Sequence, residues 1–321
     1  MDQITKLWFI TDIHGSNICF RKFLNAIKSK KNPDVMIIGA DICGKYLVPI
    51  IKQSMGGWKV EFEGHTSLLE SEGEVQNYEN YLADRGAYGY RCDPDFFELL
   101  KTNQEIQNEI KRKVRIERLT EWVELADKRL NGTERKIFVN GGNDDPWYID
   151  EILDQSKVII RPEGKAIELD KYITMISTGY SNITPWNCPR DITEEVMKEK
   201  IETMVNKISD FSKCIFNFHC PPYNTLLDLA PKLDENFKII ISGLGSDLVP
   251  VGSVAVREAI EQYQPIVGLH GHIHEQHAYE YIGNTLCFNP GSEYSQGLLR
   301  GVYLEFNQGE LKQYGLTRES N

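Results

Sequence analysis

Five short motifs place Asp, His and Asn just past apolar, β-like runs, and their types and order suggest a site for two metal ions. Asp12-Ile13-His14 follows Leu7-Trp8-Phe9-Ile10, and Asp41 closes Val35-Met36-Ile37-Ile38-Gly39-Ala40. Gly142-Asn143-Asp144-Asp145 comes after Ile137-Phe138-Val139-Asn140, and His219 after Ile215-Phe216-Asn217-Phe218. The last, Gly271-His272-Ile273-His274, follows Pro265-Ile266-Val267-Gly268-Leu269. Imidazole, carboxylate and carboxamide donors suit Mn, Fe, Zn or Ni, and not the all-oxygen cages of calcium. Two such metals about 3.5–4 Å apart can clamp both sides of a phosphoryl displacement and make a nucleophile from water at neutral pH. A carboxylate, with two oxygens, is the natural bridge between them.

Residues so far apart in the chain meet only if the fold collects them. Parallel strands of an α/β sheet end at one edge, and ligands bind outside their carboxyl ends. Residues 7–42 read as strand, helix, strand, with Ile18, Phe23, Leu24 and Ile27 on one helical stripe and Asn32-Pro33-Asp34 as the break. Residues 44–92 mix short apolar stretches with Gly56-Gly57, Gly64 and Gly86 and match no single period. Asp93-Pro94 opens a long helical pattern that Asn131-Gly132 stops, and its length admits two helices. Strand signals return at 136–140, 172–177, 285–288 and 301–306, with helices expected near 193–209 and 253–263. The stretch 44–135 therefore reads as an insertion, largely helical, in one α/β body spanning 1–321. Leaving from the second motif, it is expected to reach over the cleft.

The order Asp-x-His, Asp, Gly-Asn, His, Gly-His-x-His resembles the calcineurin-like metallophosphoesterase superfamily, over nearly the whole chain outside 44–135. The resemblance implies a four-layer α/β/β/α sandwich with two divalent or mixed-valence transition metals at the strand ends. One would be held by Asp12, His14, Asp41 and His274, the other by Asp41, Asn143, His219 and His272, with Asp41 bridging. Asn289-Pro290-Gly291-Ser292 is similar to the family's terminal turn, and His219-Cys220-Pro221-Pro222 to its His-x-Pro variant. The implied activity is hydrolysis of a small soluble phosphomonoester or phosphodiester by a metal-bound hydroxide. A nuclease of the same superfamily and a non-catalytic metal-binding scaffold are the alternatives.

Two departures bear on mechanism. Gly39-Ala40-Asp41 replaces the common Gly-Asp but keeps the ligand. Asp144 stands where many members carry a His, with Asp145 next. An ordinary carboxylate, with a pKa of about 4, is a poor proton donor at neutral pH. Asn143, Asp144 and His270 are the candidate catalytic residues. His270, beside the last motif, is equally well read as a buried structural His. Cys43 reads as a packed thiol, and Gly252-Ser253 as a helix cap with Arg257 one turn on. Tyr180, Trp186 and Tyr223 are candidates to stack on a substrate ring, although loop packing explains them as well. His65 and His277 read as surface residues.

The bulk numbers set outer bounds. The chain has 321 residues, 26% of them charged, and a formal net charge of −11. That balance argues against an extended nucleic-acid surface, since phosphate-backbone binding rests on Lys and Arg, yet it leaves room for a phosphate at a metal centre. Seven cysteines at irregular spacing suggest reduced thiols. No run is long enough to span a bilayer and no signal peptide is expected, so a cytoplasmic protein is expected.

Overall fold

The computed structural model describes residues 4–242 and 245–319. Near-continuous apolar runs give strands buried on both faces, as parallel sheets covered on each side require. Strands β1 (Ile4–Ile10), β2 (Val35–Ile38), β3 (Lys136–Val139) and β4 (Ile159–Ile160) pair in parallel. The antiparallel strands β11 (Leu299–Asn307) and β12 (Glu310–Glu319) extend this sheet, in the order β12-β11-β1-β2-β3-β4. A second sheet holds β5 (Ala166–Glu168), β6 (Thr174–Thr178), β7 (Cys214–Phe218), β8 (Val267–Leu269), β9 (Ala278–Ile282) and β10 (Thr285–Asn289). Its order is β9-β10-β8-β7-β6-β5, with β6, β7, β8 and β10 parallel.

The period-two alternation along each strand builds the layers. Leu7, Phe9, Ile37 and Phe138 of the first sheet meet Met175, Ile215, Leu269 and Phe288 of the second in one buried core between the sheets. The other face of the first sheet presents Trp8, Ile10, Met36 and Val139. Onto it pack α1 (Asn17–Asn25), α5 (Ile149–Leu153) and the second half of α4 (Gln104–Leu130) through Phe20, Phe23, Trp122, Ala126 and Ile149. The outer face of the second sheet, Ile176, Phe216 and Phe218, is covered by α6 (Glu194–Val205) and α7 (Val254–Tyr263). The result is the four-layer α/β/β/α sandwich.

Residues 44–135 do two things. Strands Leu47–Lys52, Trp58–Phe62, His65–Leu69 and Tyr88–Cys92 form a separate sheet. With α2 (Glu72–Asp84) it encloses a small core of Val48, Ile50, Val60, Val75 and Leu82. The hairpin at Glu63-Gly64 has positive φ at both turn residues, +49° and +77°, the geometry of a two-residue loop that matches strand twist. The helical remainder is α3 (Pro94–Thr102) and α4, separated at Asn103. Asn103 has extended backbone, ends the first helix, and caps the second by accepting from the amides of Glu105 and Ile106. Because Leu119, Trp122, Val123 and Ala126 belong to the outer core of the first sheet, α4 is also a layer of the body.

Candidate metal centre

All five motifs lie where their strands end. The parallel ladder between β1 and β2 continues past them, with the amides of Asp12 and His14 donating to Ala40 O and Asp41 O at 3.0 Å each. Asp12, His14, Asp41 and His272 adopt left-handed backbone, with φ of 53°, 37°, 50° and 68°. That region costs a non-glycine residue about 1–3 kcal/mol, and such strain concentrates at functional sites. Here it turns four side chains out of their strands toward one point.

Neighbouring loops hold the strained turns in place. The buried Asp145 carboxylate accepts from Ile42 N, Cys43 N and Gly142 N at 2.8–2.9 Å, tying the second motif to the third. Asn289 donates to Gly271 O and Ile273 O at 3.0 and 3.1 Å, and Ser292 donates to Asp12 O at 2.6 Å. The Asn289–Ser292 turn thereby clamps the last motif against the first. His277 is exposed, as expected, and its Nδ1 bonds Pro290 O at 2.7 Å in the same turn.

The side chains converge in two triangles, Asp12–His14–His274 and Asp41–His219–His272, each with its ligand atoms within 4.8 Å of one another. His14 Nε2 and His274 Nε2 are 3.1 Å apart, and Asp12 Oδ1 is 3.3 Å from the latter. Asn143 Oδ1 lies 3.1 Å from both His219 Nε2 and His272 Nδ1. Asp41 Oδ2 stands between the triangles, 3.8 Å from His14 Nε2 and 3.5 Å from His219 Nε2. Its Oδ1 is engaged by the Asp144 amide at 3.1 Å, and Asp12 Oδ2 by Thr11 Oγ1 at 2.6 Å, so each carboxylate turns its other oxygen inward. Two glycines make room for them. A Cβ at Gly142 would fall 1.9 Å from Asp41 Oδ1, and one at Gly271 would fall 2.3 Å from Asp12 Oδ2.

This donor set fits transition metals. Burial and the nearby Lys45 bring His14 down to about 3, and burial with His219 brings His272 down to about 4. Both imidazoles are therefore neutral, and a neutral imidazole keeps one nitrogen lone pair to offer a cation. Burial would raise Asp12 and Asp41, but His219 chiefly outweighs it and holds both below the usual carboxylate range. The same two acids overcome burial to raise His219. Imidazole nitrogens 3.1 Å apart, with ionised carboxylates beside them, are satisfied together by a cation between them. Outer partners set the ring and amide orientations. Cys43 O accepts from His14 Nδ1 at 3.3 Å, and Asp191 Oδ1 accepts from Asn143 Nδ2 at 2.9 Å, which turns the Asn143 carbonyl inward.

The seven expected ligands are thus brought together, but not every candidate joins them. His270 is fully buried with Nδ1 on Phe218 O at 2.8 Å, and its ring edge lies over Gly268 and Cys287. Burial lowers it to about 4. It fastens β8 to β7 and does not touch the cluster. Cys43 is packed in the outer core. The N-terminus of α7 is filled by Glu194, which takes Ser253 Oγ and the amides of Val254 and Ala255. Tyr180 packs beside Trp147 at 5.9 Å with Lys200 over its ring, whereas Trp186 and Tyr223 stay exposed. Asp144 is at the rim, in a third group with His14 and Asp41. Its Oδ2 is 2.8 Å from Lys45 Nζ.

Lys45 and Asp191 carry no motif and escaped the sequence reading. The stretch 44–135 borders the site through Lys45 and through Gly86, where a Cβ would lie 2.1 Å from His14 O.

A four-layer sandwich with an Asp, His and Asn cluster at the parallel strand ends defines a metal-site α/β class. The chain belongs to the calcineurin-like phosphoesterase family, whose model matches residues 5–276. It is 31% identical to the uncharacterized protein MJ1162 of Methanocaldococcus jannaschii over 172 residues, 52% of this chain and 70% of that one. Its fold is similar to TT1561 of Thermus thermophilus, with a TM-score of 0.51, 11% identity, and 98% and 99% of the two chains covered. A further solved structure matches at a TM-score of 0.57 and 17% identity, covering 99% of this chain and 100% of the other. The family is metal-dependent and acts on phosphate esters, so by class this is a metal-dependent phosphoesterase. Among the described residues no helix is long and apolar enough to cross a membrane.

Proposed function

We propose that the chain is a dinuclear metal-dependent hydrolase of small phosphate esters, monoesters or diesters. The observation that carries this is the position of Asp41 Oδ2, within 3.8 Å of a ligand nitrogen in each triangle. Asp12, His14 and His274 would hold one metal, and Asn143, His219 and His272 the other, with Asp41 shared. Bound there, two transition ions of the Mn, Fe, Zn or Ni class supply Lewis acidity toward the phosphoryl oxygens and a nucleophile from water at neutral pH.

The chain's own part is to orient. Asp191 fixes the Asn143 carbonyl, Cys43 O fixes His14, and Asp145 with the Asn289–Ser292 turn sets the spacing between loops. With the outer partners already in place, little reorganisation remains when substrate arrives. The net charge of −11 supports a small substrate over nucleic acid.

The test is metal analysis together with turnover of aryl phosphomonoesters and diesters after loading with Mn or Fe. About two metals per chain and hydrolysis that Asp41→Asn abolishes are expected. A loaded wild type that hydrolyses neither ester class overturns the reading.

A further inference from the structure

Among the described ion pairs, the one joining a Lys or Arg to the Asp12, Asp41 and Asn143–Asp145 loops is Lys45 with Asp144, Nζ to Oδ2 at 2.8 Å. Asp144 itself shares a ligand-sized triangle with His14 and Asp41. Lys45 Nζ thus stands one hydrogen bond outside the cluster, with its side chain 39% exposed and open to whatever enters. The cationic side chain nearby, Arg190, is differently placed. It is 1% exposed, bonded to Asp150 at 2.8 Å and stacked on Trp147.

The placement of Lys45 is built and does not come from a free surface chain settling on an acid. Its neighbour Gly44 is held from both sides. The Arg115 guanidinium donates to Gly44 O from Nε at 3.1 Å and Nη2 at 3.0 Å. Gly44 N donates to Tyr88 Oη at 3.0 Å. A Cβ on Gly44 would fall 2.0 Å from Gly86 O, so this close approach requires glycine. Arg115 and Tyr88 both come from the stretch 44–135, one on α4 and one on its small sheet. That stretch therefore aims Lys45 at the rim. An ammonium has three N–H donors, and Asp144 takes one.

We propose that Lys45 is a phosphate-binding residue of this site, contacting a non-bridging oxygen of the substrate while Asp144 positions it. The inference rests on the phosphoesterase reading above. Its physical basis is charge. An incoming phosphate dianion meets the carboxylates of Asp12, Asp41 and Asp144 in a chain of net charge −11. A fixed ammonium on the open side, partly screened from water, stabilises that anion and the charge spreading over its oxygens during displacement. Although burial works against it, Asp144 and Asp41 keep the ammonium charged throughout the neutral range. Lys45 thus acts as a fixed charge, and the proton for the leaving group comes from elsewhere.

The experiment uses metal-loaded full chain, with inorganic phosphate as the probe for calorimetric binding and an aryl phosphate for kinetics. Lys45→Met is expected to bind phosphate at least tenfold more weakly and to lose roughly 100-fold in kcat/KM, the scale of one preorganised electrostatic contact. Metal stoichiometry should stay at the wild-type value, and Lys45→Arg should recover most of the phosphate affinity. Asp144→Asn, which keeps the ammonium but loosens it, should give a smaller loss. Unchanged phosphate affinity in Lys45→Met overturns the proposal, and so does a loss explained by missing metal. If wild type binds two metals and phosphate but turns over no ester, the phosphoesterase reading fails, while the phosphate comparison still decides the role of Lys45.

Discussion

Asp191→Asn isolates the outer support of one metal position. Asp191 Oδ1 accepts from Asn143 Nδ2 at 2.9 Å. Its Oδ2 accepts from Thr184 N at 3.0 Å, Cys188 N at 2.9 Å and the Thr184 hydroxyl. An asparagine keeps the shape but has one oxygen for these two sides. Three donors outvote one, so the new carbonyl faces Thr184 and Cys188 and the new amide faces Asn143. Two NH2 groups then oppose each other, and the Asn143 amide relieves the clash by flipping. The flip carries Nδ2 to where Oδ1 had lain 3.1 Å from His219 Nε2 and His272 Nδ1, replacing an acceptor with a donor that cannot ligate a cation.

Loss of such an outer partner typically costs about 10- to 100-fold in metal affinity, equal to roughly 1.4–2.8 kcal/mol at about 1.4 kcal/mol per tenfold. The loss should fall on the His219–His272 position alone, because Asp191 does not bond to the Asp12 loop. The assay is calorimetric titration of the metal-free protein with Mn, where wild type should show two sites and the variant one intact and one weakened. Circular dichroism melting checks that the variant is folded. Wild-type affinity at both sites would refute the argument. Equal weakening of both would show that the two positions do not act separately.

Gly142→Ala places a methyl 1.9 Å from Asp41 Oδ1 and 2.3 Å from Asp41 N. Displacing the shared carboxylate by even about 1 Å should cost about 100-fold in kcat/KM, and unaltered kinetics would show that Asp41 is not the bridge. Chelation should lower the melting temperature, since at free metal about 100 times Kd each site contributes about 2.7 kcal/mol. A melting curve indifferent to EDTA and to added Mn would contradict the metal reading. Glu293 is held down to about 2 from its ordinary 4.5, chiefly by Arg318, against an opposing effect of burial and with Arg300 adding to the lowering. Its depressed folded value means that the pairing stabilises above pH 4.5 and that this stability is lost as pH falls from there toward 2. Glu293→Gln should therefore be less stable than wild type at about pH 6, with the gap closing across that window. A gap that stays constant would mean that the carboxylate is not titrating with folding.

The sequence made the ligands readable for a reason that also explains what it hid. Each candidate ligand follows a mainly apolar run within a few residues, and where such a run ends in a parallel sheet is a property of that run alone. Asp12, His14, Asp41, Asn143, His219, His272 and His274 are each close to a signal that needs no knowledge of the rest of the fold. His270 shares that adjacency, and its role turned on the face of the strand it occupies. One residue short of the glycine, it still obeys the strand's alternation and lies on the side of Cys287, whereas the left-handed turn at His272 swings the next side chains toward the Asp and His cluster. Lys45 and Asp191 had no such signal. Asp191 acts only because the turn at Thr184 and Cys188 brings three donors to its other oxygen. Lys45 is placed beside Asp144 only because Arg115, far along the chain on α4, grips Gly44.

Residues 44–92 were obscure on the same grounds. Trp58, Val60 and Phe62 do alternate with Lys59 and Glu61, but over five residues. The small core they join is completed by Val75 and Leu82 of a helix. A strand that short is stabilised by its partners more than by its own pattern. This divides the molecule by origin. The candidate metal ligands sit on strand ends fixed by local sequence, whereas the rim beside them, with the proposed phosphate contact Lys45, is held by long-range contacts from the stretch that enters after the second motif. Substitutions in the Arg115–Gly44–Tyr88 clamp should therefore alter the preference among esters while leaving metal content intact. Arg115→Met, which removes both bonds to Gly44 O, separates the two effects. Equal losses of metal and of kcat/KM for every ester would show that the stretch supports the metal centre itself and does not select the substrate.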